Sequence, residues 1–189
     1  MFKELVKKNR SYRKFYGDYI IDSQILLDLI ELARITPSAA NKQPLKYILS
    51  NSEDRNAKIF ETLAWAGYLK DWQGPEPGER PSAYIVVLGD LDIGKNYLDV
   101  NSGIAMQSIL LGSVEKKLGG CIFASIKRSK LAENLEIPER YQILYVIALG
   151  KPKENVVIDD IKDGNFKYWR DENLTHHVPK RTVDELILK

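Results

Sequence analysis

Ala33-Arg-Ile-Thr-Pro-Ser-Ala-Ala-Asn-Lys-Gln-Pro44 is the stretch on which the reading of this chain turns. It joins an amphipathic run to the strand-like Lys46-Tyr-Ile-Leu-Ser50. Pro37 stops the run, because its ring blocks the helical ladder behind it. Ser38, Ala39 and Ala40 are too small to shield the backbone, while Asn41 and Gln43 carry amides that each donate and accept. A bare, rigid turn with two amides suits a flat heterocycle with alternating donors and acceptors. An ordinary helix-to-strand loop would have the same residues, so the turn does not decide the matter alone.

Outward from the turn, helical and apolar runs alternate. Phe2 to Lys8 reads as a short helix. Asp22 or Ser23 caps a second, whose Ile25, Leu26, Leu29, Ile30, Leu32 and Ala33 form a wide core stripe. Tyr47-Ile-Leu49 is a short strand, and Ser52 or Glu53 opens a helix predicted to run to about Ala66. Gly67 to Pro81 is a Gly/Pro-rich loop carrying Tyr68 and Trp72. Tyr84 to Leu88 reads as a strand buried on both faces. A long helix pattern follows from Lys95 to Lys117, then a strand at Cys121 to Ala124. A short helix ends at Pro138, and a strand runs from Tyr141 to Leu149. Residues 151–189 are polar, with Tyr168-Trp169 as an aromatic island and an apolar piece from Val183 to Leu188. A tail without a core of its own must dock elsewhere. Together these elements predict helices layered on an inner sheet.

Near the N-terminus lies Asn9-Arg-Ser-Tyr-Arg-Lys-Phe15, where Arg10 and Arg13 bracket a hydroxyl; Arg forks match phosphate oxygens. Taken with Pro37-Ser-Ala-Ala-Asn-Lys-Gln-Pro44, Leu118-Gly-Gly-Cys-Ile-Phe-Ala-Ser125 and Val178-Pro-Lys-Arg181, this segment resembles the nitroreductase family of FMN enzymes, with the motifs in the family's order over nearly the whole chain. The resemblance implies a single α+β domain over residues 1–189 with a nitroreductase-like three-layer fold. In it a central mixed, mostly antiparallel sheet is flanked by helices, FMN lies at a homodimer interface, and residues 151–189 dock on the partner subunit. It also implies FMN as bound cofactor and NAD(P)H as transient electron donor. A hydride would pass through flavin N5 to an electron-poor acceptor, nitroaromatic or quinone, in ping-pong fashion. Reductive dehalogenation, flavin fragmentation or a non-catalytic flavin sensor are the alternatives.

The resemblance assigns roles residue by residue. Arg10, Ser11, Lys180 and Arg181 would hold the phosphate; many relatives carry another basic residue where this chain has Asn9. Arg13 would face the pyrimidine end of the ring, favouring the negative charge that reduction puts there. Asn41 would bond the same edge, and Gln43 either joins it or braces the turn. Pro37, Ser38, Ala39 and Ala40 would give backbone and close packing. Ala124 and Ser125 would present amides to O4 and N5, although relatives often have Gly there. Tyr68 and Trp72 fall where the family's substrate lid lies, and would either stack on an acceptor or pack the loop down. No side chain is needed as nucleophile, since the cofactor carries the chemistry.

Composition leaves this reading room. The 189 residues suffice for one cored domain, and 44% hydrophobic with 29% charged residues is a globular balance. With 28 basic against 26 acidic residues, net +2, there is no general case for nucleic acid or membrane binding. Cys121 is the only cysteine, which fits a reducing compartment, and is read as a small buried hydrophobe. Met1-Phe-Lys-Glu-Leu5 lacks an apolar signal region, and no apolar run approaches the ~20 residues of a membrane span, so a cytoplasmic protein is expected.

Rival motifs fail on chemistry. Gly89-Asp-Leu-Asp-Ile-Gly-Lys-Asn96 nearly matches a phosphate-binding P-loop, but Asn96 replaces the magnesium-binding hydroxyl, and Asp90 and Asp92 would oppose phosphate. Adjacent His176 and His177 point to opposite sides of an extended segment, and no Cys or carboxylate cluster joins them, so no metal is expected. Neither a Gly-x-Ser-x-Gly elbow nor a Gly-x-Gly-x-x-Gly fingerprint is present.

Overall fold

In the computed structural model, residues 2–188 are described; Met1 and Lys189, the two ends of the expected domain, lie outside them. The chain order is α1 (Phe2–Lys8), α2 (Ser23–Arg34), β1 (Leu45–Ser50), α3 (Glu53–Phe60), β2 (Ala83–Asp90), α4 (Leu98–Glu115), β3 (Gly119–Phe123), α5 (Arg128–Asn134), β4 (Tyr141–Gly150), β5 (Val156–Asp160), β6 (Trp169–Arg170), β7 (His176–Lys180) and α6 (Val183–Leu186). β1, β2, β4 and β3 form an antiparallel sheet in the order β1-β2-β4-β3.

Every residue of β2 is buried, because helices cover both faces of the sheet. Ile85 and Val87 point with Ile147 and Leu149 toward Leu26 and Leu29 of α2 and Met106 and Ile109 of α4. Tyr84, Val86 and Leu88 point with Val146 and Ala148 the other way, toward Ile59 of α3 and Leu131 of α5. The period of two along a strand sorts alternate residues into these two cores. This is the three-layer α+β arrangement that the resemblance implies, with the sheet inside as the pattern of helices and strands predicts. An apolar run of this kind is the mark of a doubly covered sheet, here an antiparallel one.

Some boundaries differ. α3 ends at Phe60, not Ala66: Thr62 Oγ1 and Thr62 N both bond Ile59 O, turning the chain so that Leu63 bridges to Ile126. α4 begins at Leu98, after Tyr97 in a left-handed conformation. The loop resembling a P-loop is closed by Arg140, which donates to both oxygens of the buried Asp90 carboxylate. That ion pair holds Asp90 below its usual carboxylate range.

Two features position the pocket described below. The N-terminal segment runs along the β3 edge: Ser11 pairs in parallel with Gly120, and Tyr12 N donates to Gly120 O at 3.0 Å. A side chain at Gly119 would strike the Tyr12 ring at 2.4 Å, so glycine is required for this approach. The tail forms a second sheet in the order β5-β7-β6, with β5 and β7 parallel. It is tied to the N-terminal segment, where Lys153 N donates to Lys14 O at 2.9 Å and Tyr16 N to Lys151 O at 2.9 Å.

Candidate active site

The N-terminal segment, β3 and the tail sheet enclose a cavity of about 320 Å³. Arg10, Ser11, Arg13 and Lys180 line it together with Gln107, Gly120, Ile122, Tyr168 and His176. It holds three cationic side chains, and no carboxylate lines it among the described residues. None of the three makes an ion pair among those described.

Each cation is placed by backbone or tail. Arg10 Nη2 donates to Val6 O at 2.9 Å, which turns the side chain back over α1. Arg10 Nε is buried without a partner among the described residues. Burial lowers the Arg10 pKa from its ordinary value. Arg13 Nη1 donates to Ser11 O at 3.2 Å and lies 3.1 Å from His176 Nε2. Its guanidinium sits 4.6 Å from the Tyr168 ring centre. The Arg13 backbone amide donates to Glu154, whose other oxygen accepts from Arg170 Nη2 at 3.0 Å. This ion pair is nearly solvent-free, with side chains 11% and 2% exposed.

The two histidines of β7 face opposite ways, as alternation requires. His176 is fully buried, and burial first, then the charges of Arg13, Arg170 and His177, push its pKa down to about 4. His177 bonds Asp159 at 2.7 Å and stacks on Trp169, and the Asp159 bond raises its pKa. No group of three or more His, Cys, Asp or Glu among the described residues is placed to hold a metal ion.

The proline-broken turn lies elsewhere. Pro37, Ser38 and Gln43 line a different cavity, with Asn101 and Ala105 of α4. Ala40, Asn41 and Gln43 all adopt positive φ, at 51°, 54° and 52°. Such angles are uncommon outside glycine, and a cluster of them marks a strained, specified conformation. Buried Asn101 accepts from Ala39 N at 2.8 Å, Ser38 Oγ accepts from Gln43 N at 3.0 Å, and Gln43 Nε2 donates to Asn41 O at 3.1 Å. Gln43 therefore braces the turn, while Asn41 stands exposed.

The remaining expected residues do not line the Arg10 cavity. Arg181 is exposed and pairs with Glu185 at 3.3 Å. Ala124 and Ser125 follow β3 at the surface, where Ser125 O accepts from Ala64 N at 3.1 Å. Tyr68 packs on Tyr168 at 4.9 Å between ring centres. Trp72 meets Trp65 edge-on and lies under the Arg170 guanidinium at 4.3 Å. These contacts pack the loop onto the tail. Tyr168, His176, Glu154 and Gln107 are the residues that sequence reading missed. The isolated Tyr168-Trp169 pair and the alternation of His176 and His177 were the available signals.

Comparison with known proteins places the chain in a family. The model of the Nitroreductase family covers residues 6–151. The chain is 27% identical over 158 residues to a protein of Archaeoglobus fulgidus that bears the provisional name NADH dehydrogenase/NAD(P)H nitroreductase; the match covers 80% of this chain and 85% of that one. Among solved structures, the nitroreductase family protein from Streptococcus pneumoniae TIGR4 aligns with a TM-score of 0.73 at 22% identity over 100% of both chains. An FMN-dependent nitroreductase from Clostridium difficile R20291 aligns at 0.65 with 19% identity, covering 80% of this chain and 87% of that one. Fold and matched motifs define an α+β oxidoreductase. The chain belongs to the nitroreductase family, and FMN and NAD(P)H appear in the names of the relatives above.

Proposed function

We propose that the protein binds FMN in the Arg10 cavity and alternately oxidises NAD(P)H and reduces an electron-poor acceptor, nitroaromatic or quinone, in a ping-pong cycle. The observation that carries this is a pocket with three cations and no carboxylate among its described lining residues, which favours an anion. One buried nitrogen of a lining residue, Arg10 Nε, has no partner among the described residues and fits a ligand rich in acceptor oxygens. When bound, FMN supplies hydride acceptance at N5. Arg10, Ser11 and Lys180 hold the phosphate. Arg13 places positive charge where the reduced ring is negative. Proton delivery comes from solvent.

The site takes its second half from another copy of the chain. The Pro37–Gln43 turn lines its own cavity in this chain, yet it is held rigid and presents Asn41 outward. α4 has no single polar face, and Val100 and Ile104 on its outer side remain 56% and 37% exposed. A helix of this composition belongs in an interior. A two-fold dimer that covers this face would set the turn of one protomer against the pocket of its partner. The apolar end of the tail, with Val183, Leu186, Ile187 and Leu188 all exposed, docks on the partner as well. No described helix is long and apolar enough to cross a membrane.

Purified protein tests the reading. It should show a flavin spectrum, release FMN on denaturation at about one per chain, and give parallel double-reciprocal lines with NAD(P)H and a quinone. A colourless protein that takes up no added FMN contradicts it.

A further inference from the structure

We propose that the C-terminal tail clamps Arg13, with His176 accepting from its guanidinium edge and Tyr168 covering its face, so that these two residues position the Arg13 charge for the flavin. The proposal rests on the Arg10 cavity being the FMN site. Both clamp residues lie beyond residue 151, outside the segment that the family model matches.

The geometry is specific. Arg13 Nη1 and His176 Nε2 are 3.1 Å apart, the guanidinium carbon is 4.6 Å from the Tyr168 ring centre, and the Tyr168 and His176 rings are 5.2 Å apart. Arginine offers only donors, so Nε2 is the acceptor and the proton sits on Nδ1. His176 is therefore neutral, which agrees with its burial and with the charges of Arg13, Arg170 and His177 facing it. Glu154 is close by, but its oxygens are occupied by the Arg13 and Lys14 amides and by Arg170. Neutrality matters here. A carboxylate in place of His176 would fix Arg13 equally well and cancel its charge. A neutral acceptor and an aromatic face fix the side chain and leave the charge for the ligand. They also remove the rotamer freedom that a long side chain would otherwise lose on binding.

The test is a double-mutant cycle read by FMN titration of the apoprotein, with flavin fluorescence as signal. His176→Leu should weaken FMN binding about tenfold, the loss of one hydrogen bond to a charged group. His176→Gln, which retains an acceptor, should restore most of it. In an Arg13→Ala background His176→Leu should have no further effect. Tyr168→Leu should follow the same pattern, and it decides the question if circular dichroism shows His176→Leu unfolded. An unchanged affinity, or an equal loss with and without Arg13, overturns the clamp. If the wild-type protein itself takes up no FMN, the pocket reading falls and the clamp with it; a wild type that binds FMN while the cycle shows no coupling removes the clamp alone.

Discussion

The two sheets of this molecule are held together by different physics. In the body sheet, β2 is buried from end to end and packs on two apolar cores. In the tail sheet most residues are half-buried or exposed, and the ties are polar: Arg170 to Glu154, His177 to Asp159, and backbone bonds to Lys14 and Tyr16. Apolar burial is non-directional and insensitive to pH, whereas charge pairs depend on protonation and on each partner being present. The pocket is built where these regions meet, with β3 and α4 supplying one wall and β7 the other. The body gives the site its rigidity; the N-terminal segment supplies two of its cations, Arg10 and Arg13, and the tail supplies Lys180 with the Tyr168 and His176 rings.

The contrast can be broken most severely from the body side. Ile147→Ala removes a fully buried side chain from the central strand and should cost about 2–5 kcal/mol, read as a lower denaturant midpoint for the whole chain. Glu154→Gln should cost about 3 kcal/mol at most, because it strands Arg170 in a nearly dry setting. Its signature is local: faster proteolysis within residues 151–189 with the body's melting little changed. A global loss equal to that of Ile147→Ala would mean that the tail is not a separate unit.

Acidity separates the regions more gently. His177 has a raised folded pKa, so its contribution is complete below its ordinary value of 6.5 and is lost as pH rises through the folded value. His176 is held down to about 4, so it costs stability as pH falls from 6.5 toward that value, where the unfolded chain takes up a proton and the folded one does not. Hydrogen exchange of the tail amides should therefore show loosening on both sides. His177→Gln should abolish the alkaline loss, and His176→Gln the acid loss, with body amides unaffected. The smallest effect belongs to the turn. Ala40→Gly relieves a left-handed alanine and should stabilise by up to about 1 kcal/mol, measured by thermal melting.

The sequence was most legible where burial decides the outcome. Period-two and helical patterns gave the body strands, and the doubly apolar run at Tyr84–Leu88 announced a covered sheet. Arg10, Ser11, Arg13 and Lys180 meet in one pocket, while Arg181, Ala124, Ser125 and the Pro37–Gln43 turn lie outside its lining. The tail was harder to read. β5 to β7 have no clean apolar alternation, because their partners are ions and aromatics from distant positions such as Trp72 with Arg170 and Arg13 with Tyr168. Arg181 could not be separated from Lys180 by type, since only the capping of α6 by Thr182 and Glu185 draws it away toward Glu185. Hydrophobic periodicity overshoots the end of α3 because Thr62 bonds backward to Ile59, a local competition that the pattern does not report.

A flavin site shared between two copies should be restored by complementation in mixed dimers. One chain would carry Arg10→Ala with Lys180→Ala, the other Asn41→Leu with Gln43→Leu, so that neither homodimer retains FMN. Co-refolding the two chains in equal amounts should restore flavin to about one quarter of the sites, because half the dimers are mixed and each mixed dimer has one intact site. No recovered flavin, with mixed dimers present by mass spectrometry, would contradict the account.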